Sequence, residues 1–168
     1  MLPKRPRLKT FDYIGLHRYF LTFCTTRRLP LFTDADRVDT VLGQILQSAE
    51  DCGFVVPAYV FMPDHVHLLI EGTSESADLQ EFVKLAKQCS GYAHAKAGRG
   101  RLWQPSYVDR ILREDEGTTA VIAYIMNNPL RAGFATCIGE YRFAGSATMS
   151  TESIIELLLD HDNPPWQP

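Results

Sequence analysis

A chain of 168 residues, 45% hydrophobic and 22% charged, has the profile of one globular domain long enough to bury a core. No apolar run approaches the roughly 18–20 residues of a membrane span, and no apolar segment of the secretory kind follows the basic opening MLPKRPRLKTFDY, so a cytoplasmic protein is expected. The net charge of −3 argues mildly against a nucleic-acid partner, yet residues 1–31 and 84–113 hold 14 of the 17 basic residues and only 2 of the 20 acidic ones. Folded onto one side, those segments build a positive face of the kind that meets a phosphate backbone; folded onto opposite sides, they are ordinary solvated surface.

The first ten residues carry Lys4, Arg5, Arg7 and Lys9 and read as a basic arm or a disordered tail. RYFLTFCTT (18–26) alternates and is rich in aromatic and β-branched residues, which predicts a strand. Val38, Val41, Leu42, Ile45, Leu46 and Ala49 then recur at helical spacing, with Asp34 or Asp36 to cap the helix and Gly53 to end it. FVVPAYVFM (54–62) predicts a second strand in which Pro57 marks an edge or an irregularity. Pro63 and Asp64 suit a tight turn, and HVHLLIEG (65–72) closes a hairpin.

A helix is predicted from Asp78, with Leu79, Phe82, Val83 and Leu85 on one side and His94 at the surface. GRGR breaks it, and SYVDRIL (106–112) predicts a fourth strand. EDEGTTAVIAYIMNNP predicts a shorter helix with acids at its N-terminal end and Pro129 bounding or kinking it. TESIIELLLDH predicts a last helix, and 161–168 a frayed tail. The order strand–helix–strand–strand–helix–strand is the split β-α-β, ferredoxin-like pattern: an α+β domain spanning 1–168, with an antiparallel sheet, two helices on one face, and extra C-terminal helices. In that arrangement the other face is available for a ligand. The cysteines Cys24, Cys52, Cys89 and Cys137 are scattered without a C-x-x-C pair and read as free thiols.

Two features carry chemistry. His65 and His67 are two apart in a strand, so both imidazoles share a face while Val66 points the other way. Such a pair either binds a divalent transition metal, incompletely by itself, or is satisfied by structural hydrogen bonds. Tyr124 and Asn128 are four apart on a predicted helix and face one direction; the amide oxygen can complete a metal site and the phenol can act as a nucleophile. The bland alternatives are a core tyrosine and a capping asparagine. GRGRLWQPSY adds Arg99, Arg101, Trp103 and Tyr107, read either as backbone charge with stacking platforms for bases or as a basic turn with Trp103 anchored in the core. Arg131 can touch phosphate or pair with an acid, and Asp64 reads as a turn residue rather than a ligand.

MPDHVHLLI, LWQPSYVDRILR and YIMNNPLRAGF, in this order, resemble the HUH single-tyrosine transposases, and within them the REP-associated tyrosine transposases. The opening RLKTFDYIGLHRYFLTFCTTRR fits the same group, so the resemblance runs from about Leu8 to Ser146. It implies a ferredoxin-like fold, His65 and His67 as the metal-binding pair, Asn128 as the third ligand, and Tyr124 as the nucleophile. It further implies Mg²⁺ or Mn²⁺ as cofactor, a single-stranded DNA hairpin as partner, a monomer or homodimer, and association with the nucleoid. The expected activity is metal-dependent DNA nicking and strand transfer through a 5′-phosphotyrosine. The contrasting reading is a non-catalytic nucleic-acid-binding module on the same scaffold, for which the two histidines, the tyrosine and the asparagine would be superfluous.

Overall fold

The computed structural model describes residues 12–113, 116–160 and 166–168; the basic arm with Lys4, Arg5, Arg7 and Lys9 lies outside them. Strands β1 (Arg18–Cys24), β2 (Phe54–Met62), β3 (His65–Gly72), β4 (Val108–Ile111) and β5 (Ala144–Gly145) form one antiparallel sheet in the order β4-β1-β3-β2-β5. With helices α1 (Ala35–Asp51) and α2 (Leu79–Lys96), the first four strands are the expected split β-α-β unit. Of the two candidates for the α1 cap it is Asp34 that accepts from the Asp36 N–H, and α2 is capped by Asp78, which accepts from the N–H groups of Gln80 and Glu81. Gly53 takes a φ of 73° just past α1, a left-handed residue of the kind that ends helices. Gly72 ends β3 for a steric reason, since a Cβ there would lie 2.2 Å from the Gly15 carbonyl oxygen.

Strand alternation sorts the side chains into two cores. Tyr19, Leu21 and Phe23 of β1 and Val66, Leu68 and Ile70 of β3 pack under α1 and α2 with Val38, Val41, Ile45, Phe82 and Val83. Phe20, Ala58, Val60, Met62 and Leu69 face the opposite way. In β2 the parity switches: Val56 belongs to the first core and so does Phe61. The register shift between Val55 and Ala58 accounts for this, because one extra residue at Val56–Pro57 inverts the faces beyond it. Pro57 does mark the predicted irregularity.

The second face is not left open. Helix α3 (Thr118–Met126) lays Val121, Ile122, Ile125 and Met126 on it, and Ile154 of α5 (Thr151–Leu159) joins them. The acids expected in the first turn of α3 are not there: Gly117 is its cap and Glu116 precedes it, bonded to the Arg113 N–H and the Arg110 guanidinium. After Asn127 the chain starts a separate short helix, α4 (Asn128–Arg131), with Pro129 in its first turn. Two further expectations change. His94 is buried rather than on the surface, because Ala86 and Ser90, not Leu85, continue the buried stripe of α2. Trp166, in the segment expected to fray, is docked against Phe20 and Tyr124 at ring separations of 5.0 and 5.1 Å, with its N–H on Glu116.

Candidate active site

The parity of β3 puts Val66 in the helix-covered core and turns His65 and His67 to the α3 face, their ring centroids 4.7 Å apart. Each imidazole is held by its Nδ1. His67 pairs across the sheet with Thr22, whose Oγ1 is 2.8 Å from Nδ1. His65 Nδ1 lies 2.6 Å from an Asp64 carboxylate oxygen. A carboxylate can only accept, so His65 carries its proton on Nδ1 and keeps its lone pair on Nε2. The Thr22 hydroxyl can receive the Nδ1 proton of His67 in the same way. Burial, the neighbouring His65 and the Arg131 and Arg28 charges push the His67 pKa down to about 3. Burial also lowers that of His65, against the opposing pull of Asp64. Both rings are therefore neutral near pH 7, the form that ligates metals.

Tyr124 lies on α3 beside this pair, its ring 6.1 Å from His67 and 5.7 Å from Phe20. The phenol ring is half-buried between two cationic or aromatic neighbours: the Arg131 guanidinium 4.3 Å from its centroid, and Trp166. Asn128, expected on the same helix as Tyr124, instead opens α4, and it donates its amide N–H groups to the carbonyls of Tyr124 and Ile125 at 2.8 and 3.3 Å. That commitment leaves the amide oxygen as its ligating end. Among the described residues no group of three His, Cys, Asp or Glu side chains could hold a metal.

The structure brings His65, His67, Tyr124 and Arg131 together and separates Trp103 from them. Trp103 is 5% exposed, with its N–H on Ser90 Oγ and its ring against Phe23 and Phe32. It is a core anchor, not a platform for bases. Arg99 and Arg101 are exposed on the loop that precedes it, and this loop meets the one carrying Arg27 and Arg28 through a Thr25–Trp103 bridge. The loops that carry Arg27 and Arg28 and Arg99 and Arg101 therefore meet at the His65 end of β3, where the Thr25 N–H and hydroxyl both reach the Asp64 carbonyl. Thr22 and Phe20 carried no sequence signal for this site; only strand register brings them there. Asp64 is a turn residue as expected, and also the partner of His65.

Fold and site together define a small ferredoxin-like domain with a histidine pair facing a helical tyrosine. The chain belongs to the IS200-like transposase family, whose profile matches residues 14–128, both histidines, Tyr124 and Asn128 included. It is similar to the ISDra2 transposase TnpA of Deinococcus radiodurans, 33% identical over an alignment of 120 residues that covers 66% of this chain and 81% of that protein. It is 25% identical over 129 residues to the REP-associated tyrosine transposase of Escherichia coli K12, covering 75% of this chain and 73% of the relative. In fold it matches a REP-associated tyrosine transposase solved bound to a REP hairpin, with a TM-score of 0.68 at 20% identity over 83% of this chain and 82% of that one.

Proposed function

We propose that this transposase is a metal-dependent nuclease and strand transferase for single-stranded DNA hairpins, with Tyr124 as its nucleophile. The observation that carries the reading is the position of the Tyr124 ring, 6.1 Å from the His67 ring and 4.3 Å from the Arg131 guanidinium. The phenol oxygen attacks phosphorus in line, the P–O3′ bond breaks, and the departing 3′ oxygen ends with the proton that the phenol gives up. The product is a 5′-phosphotyrosine and a free 3′-OH, and attack by a second 3′-OH reverses the step and joins strands without an external energy source. His65, His67 and the Asn128 amide oxygen would hold a divalent cation, which would supply Lewis-acid polarisation of the scissile phosphate. Magnesium favours oxygen ligands, so the two imidazoles suit Mn²⁺ better than Mg²⁺. Arg131 binds the non-bridging phosphate oxygens, and the exposed Arg27, Arg99 and Arg101 carry the backbone. Hairpin DNA is the substrate class by analogy with the relative solved on a REP hairpin.

The test is covalent capture: the protein, Mn²⁺ and labelled single-stranded hairpins from the DNA flanking its gene, run on a denaturing gel. A metal-dependent adduct that maps to Tyr124 and disappears in Tyr124→Phe is the expected result. Cleavage with no adduct would remove Tyr124 from the nucleophile role, and hairpin binding with neither would favour a non-catalytic binding module.

A further inference from the structure

Arg27 and Arg28 are consecutive non-glycine residues with φ of 52° and 57°, in the left-handed region that side chains rarely adopt. Strain of this kind persists where the surroundings dictate it, and it collects at functional sites. Here the surroundings are the Pro63–Asp64 turn. The Thr25 N–H and hydroxyl each bond the Asp64 carbonyl at 3.0 Å, and the Phe32 N–H bonds the Pro63 carbonyl at 2.9 Å. The loop 25–32 is thereby stitched across the turn, and Arg28 Nε comes to 2.7 Å from one Asp64 oxygen while the other accepts from His65 Nδ1.

We infer that Arg28 and Asp64 are positioning residues that hold His65 in its Nδ1–H tautomer and so leave Nε2 as its ligating nitrogen. The inference rests on the metal-binding role proposed for His65 and deepens it. The Arg28 and Asp64 side chains are 48% and 28% exposed, so their ion pair adds little to the stability of the fold. Its consequence is local. The guanidinium fixes one carboxylate oxygen, and the geometry of that carboxylate fixes the ring. Asp64 is the hydrogen-bond partner of Nδ1 among the described residues, and without it the imidazole is free to take the Nε2–H form, which cannot ligate through Nε2.

Two variants of the full chain separate positioning from folding. Asp64→Ala removes the acceptor; Arg28→Gly removes the guanidinium while relaxing the left-handed backbone, so its fold is retained. Ring ¹⁵N shifts of His65 in the metal-free protein report the tautomer, and titration with Mn²⁺ alone reports affinity. The expected result is an Nδ1–H ring in the parent, a shift to Nε2–H in Asp64→Ala, and about a tenfold or greater loss of Mn²⁺ affinity. Arg28→Gly is expected to show a smaller loss in the same direction. An Nδ1–H ring and unchanged affinity in Asp64→Ala would overturn the inference, and parent-like values of both in Arg28→Gly would overturn the part assigned to Arg28. A tautomer shift in Asp64→Ala with no Mn²⁺ binding by the parent would support positioning and overturn the metal reading instead.

Discussion

Thr22→Val tests how the site is held, because it changes one atom of consequence. Valine matches threonine in shape and suits a strand, while Thr22 is 6% and His67 8% exposed, so neither the packing nor the backbone has reason to move. What disappears is the 2.8 Å bond to His67 Nδ1. The imidazole nitrogen is then buried without a partner, and such a loss costs about 1–3 kcal/mol. In the background of His67→Phe, which has no ring nitrogen to strand, the same change is expected to cost almost nothing. Urea unfolding of the four proteins of this cycle, with chelator present, measures a coupling energy expected at about 1–2 kcal/mol. Equal effects of Thr22→Val in both backgrounds, to within about 0.5 kcal/mol, would refute the claim that Thr22 acts through His67.

Acid sensitivity follows from two buried histidines. His67 and His94 both have pKa values held below the ordinary 6.5, through burial first, helped at His94 by the Arg37 and Arg99 charges. Below about pH 6.5 the unfolded chain therefore binds more protons than the folded one, and stability declines as pH falls from there, for His67 until about pH 3, by up to about 1.4 kcal/mol per pH unit for each proton. Among the described residues neither ring nitrogen of His94 has a hydrogen-bond partner, so His94→Leu is expected to raise stability at neutral pH by about 1 kcal/mol and flatten this acid limb, read by urea titrations between pH 7 and 5. A steeper limb in that variant would contradict the assignment. Trp103→Phe keeps a ring in the core but loses the N–H bond to Ser90, so a loss of about 1 kcal/mol with unchanged hairpin affinity is expected. A selective fall in affinity, measured by gel shift, would return Trp103 to the DNA surface.

The sequence by itself determined the two rules on which this domain is built. Period-two alternation in HVHLLIEG assigned His65 and His67 to one face and Val66 to the other, whatever that strand met in space. Local chemistry likewise foretold the β2 and β3 bounds, an aspartate cap on α1 at Asp34 or Asp36 and the disruption at Pro57, because each depends on residues within a few positions. Tertiary structure alone decided what the histidines face. Thr22 reaches His67 only through the β1–β3 register, and Phe20 and Trp166 reach Tyr124 only once β1, α3 and the C-terminal residues converge. The same holds for Trp103, whose sequence neighbours are exposed arginines while its spatial neighbours are Phe23, Phe32 and Ser90. Burial and partnership are properties of non-local contacts, and no spacing along the chain encodes which of two exposed-looking residues the sheet will cover.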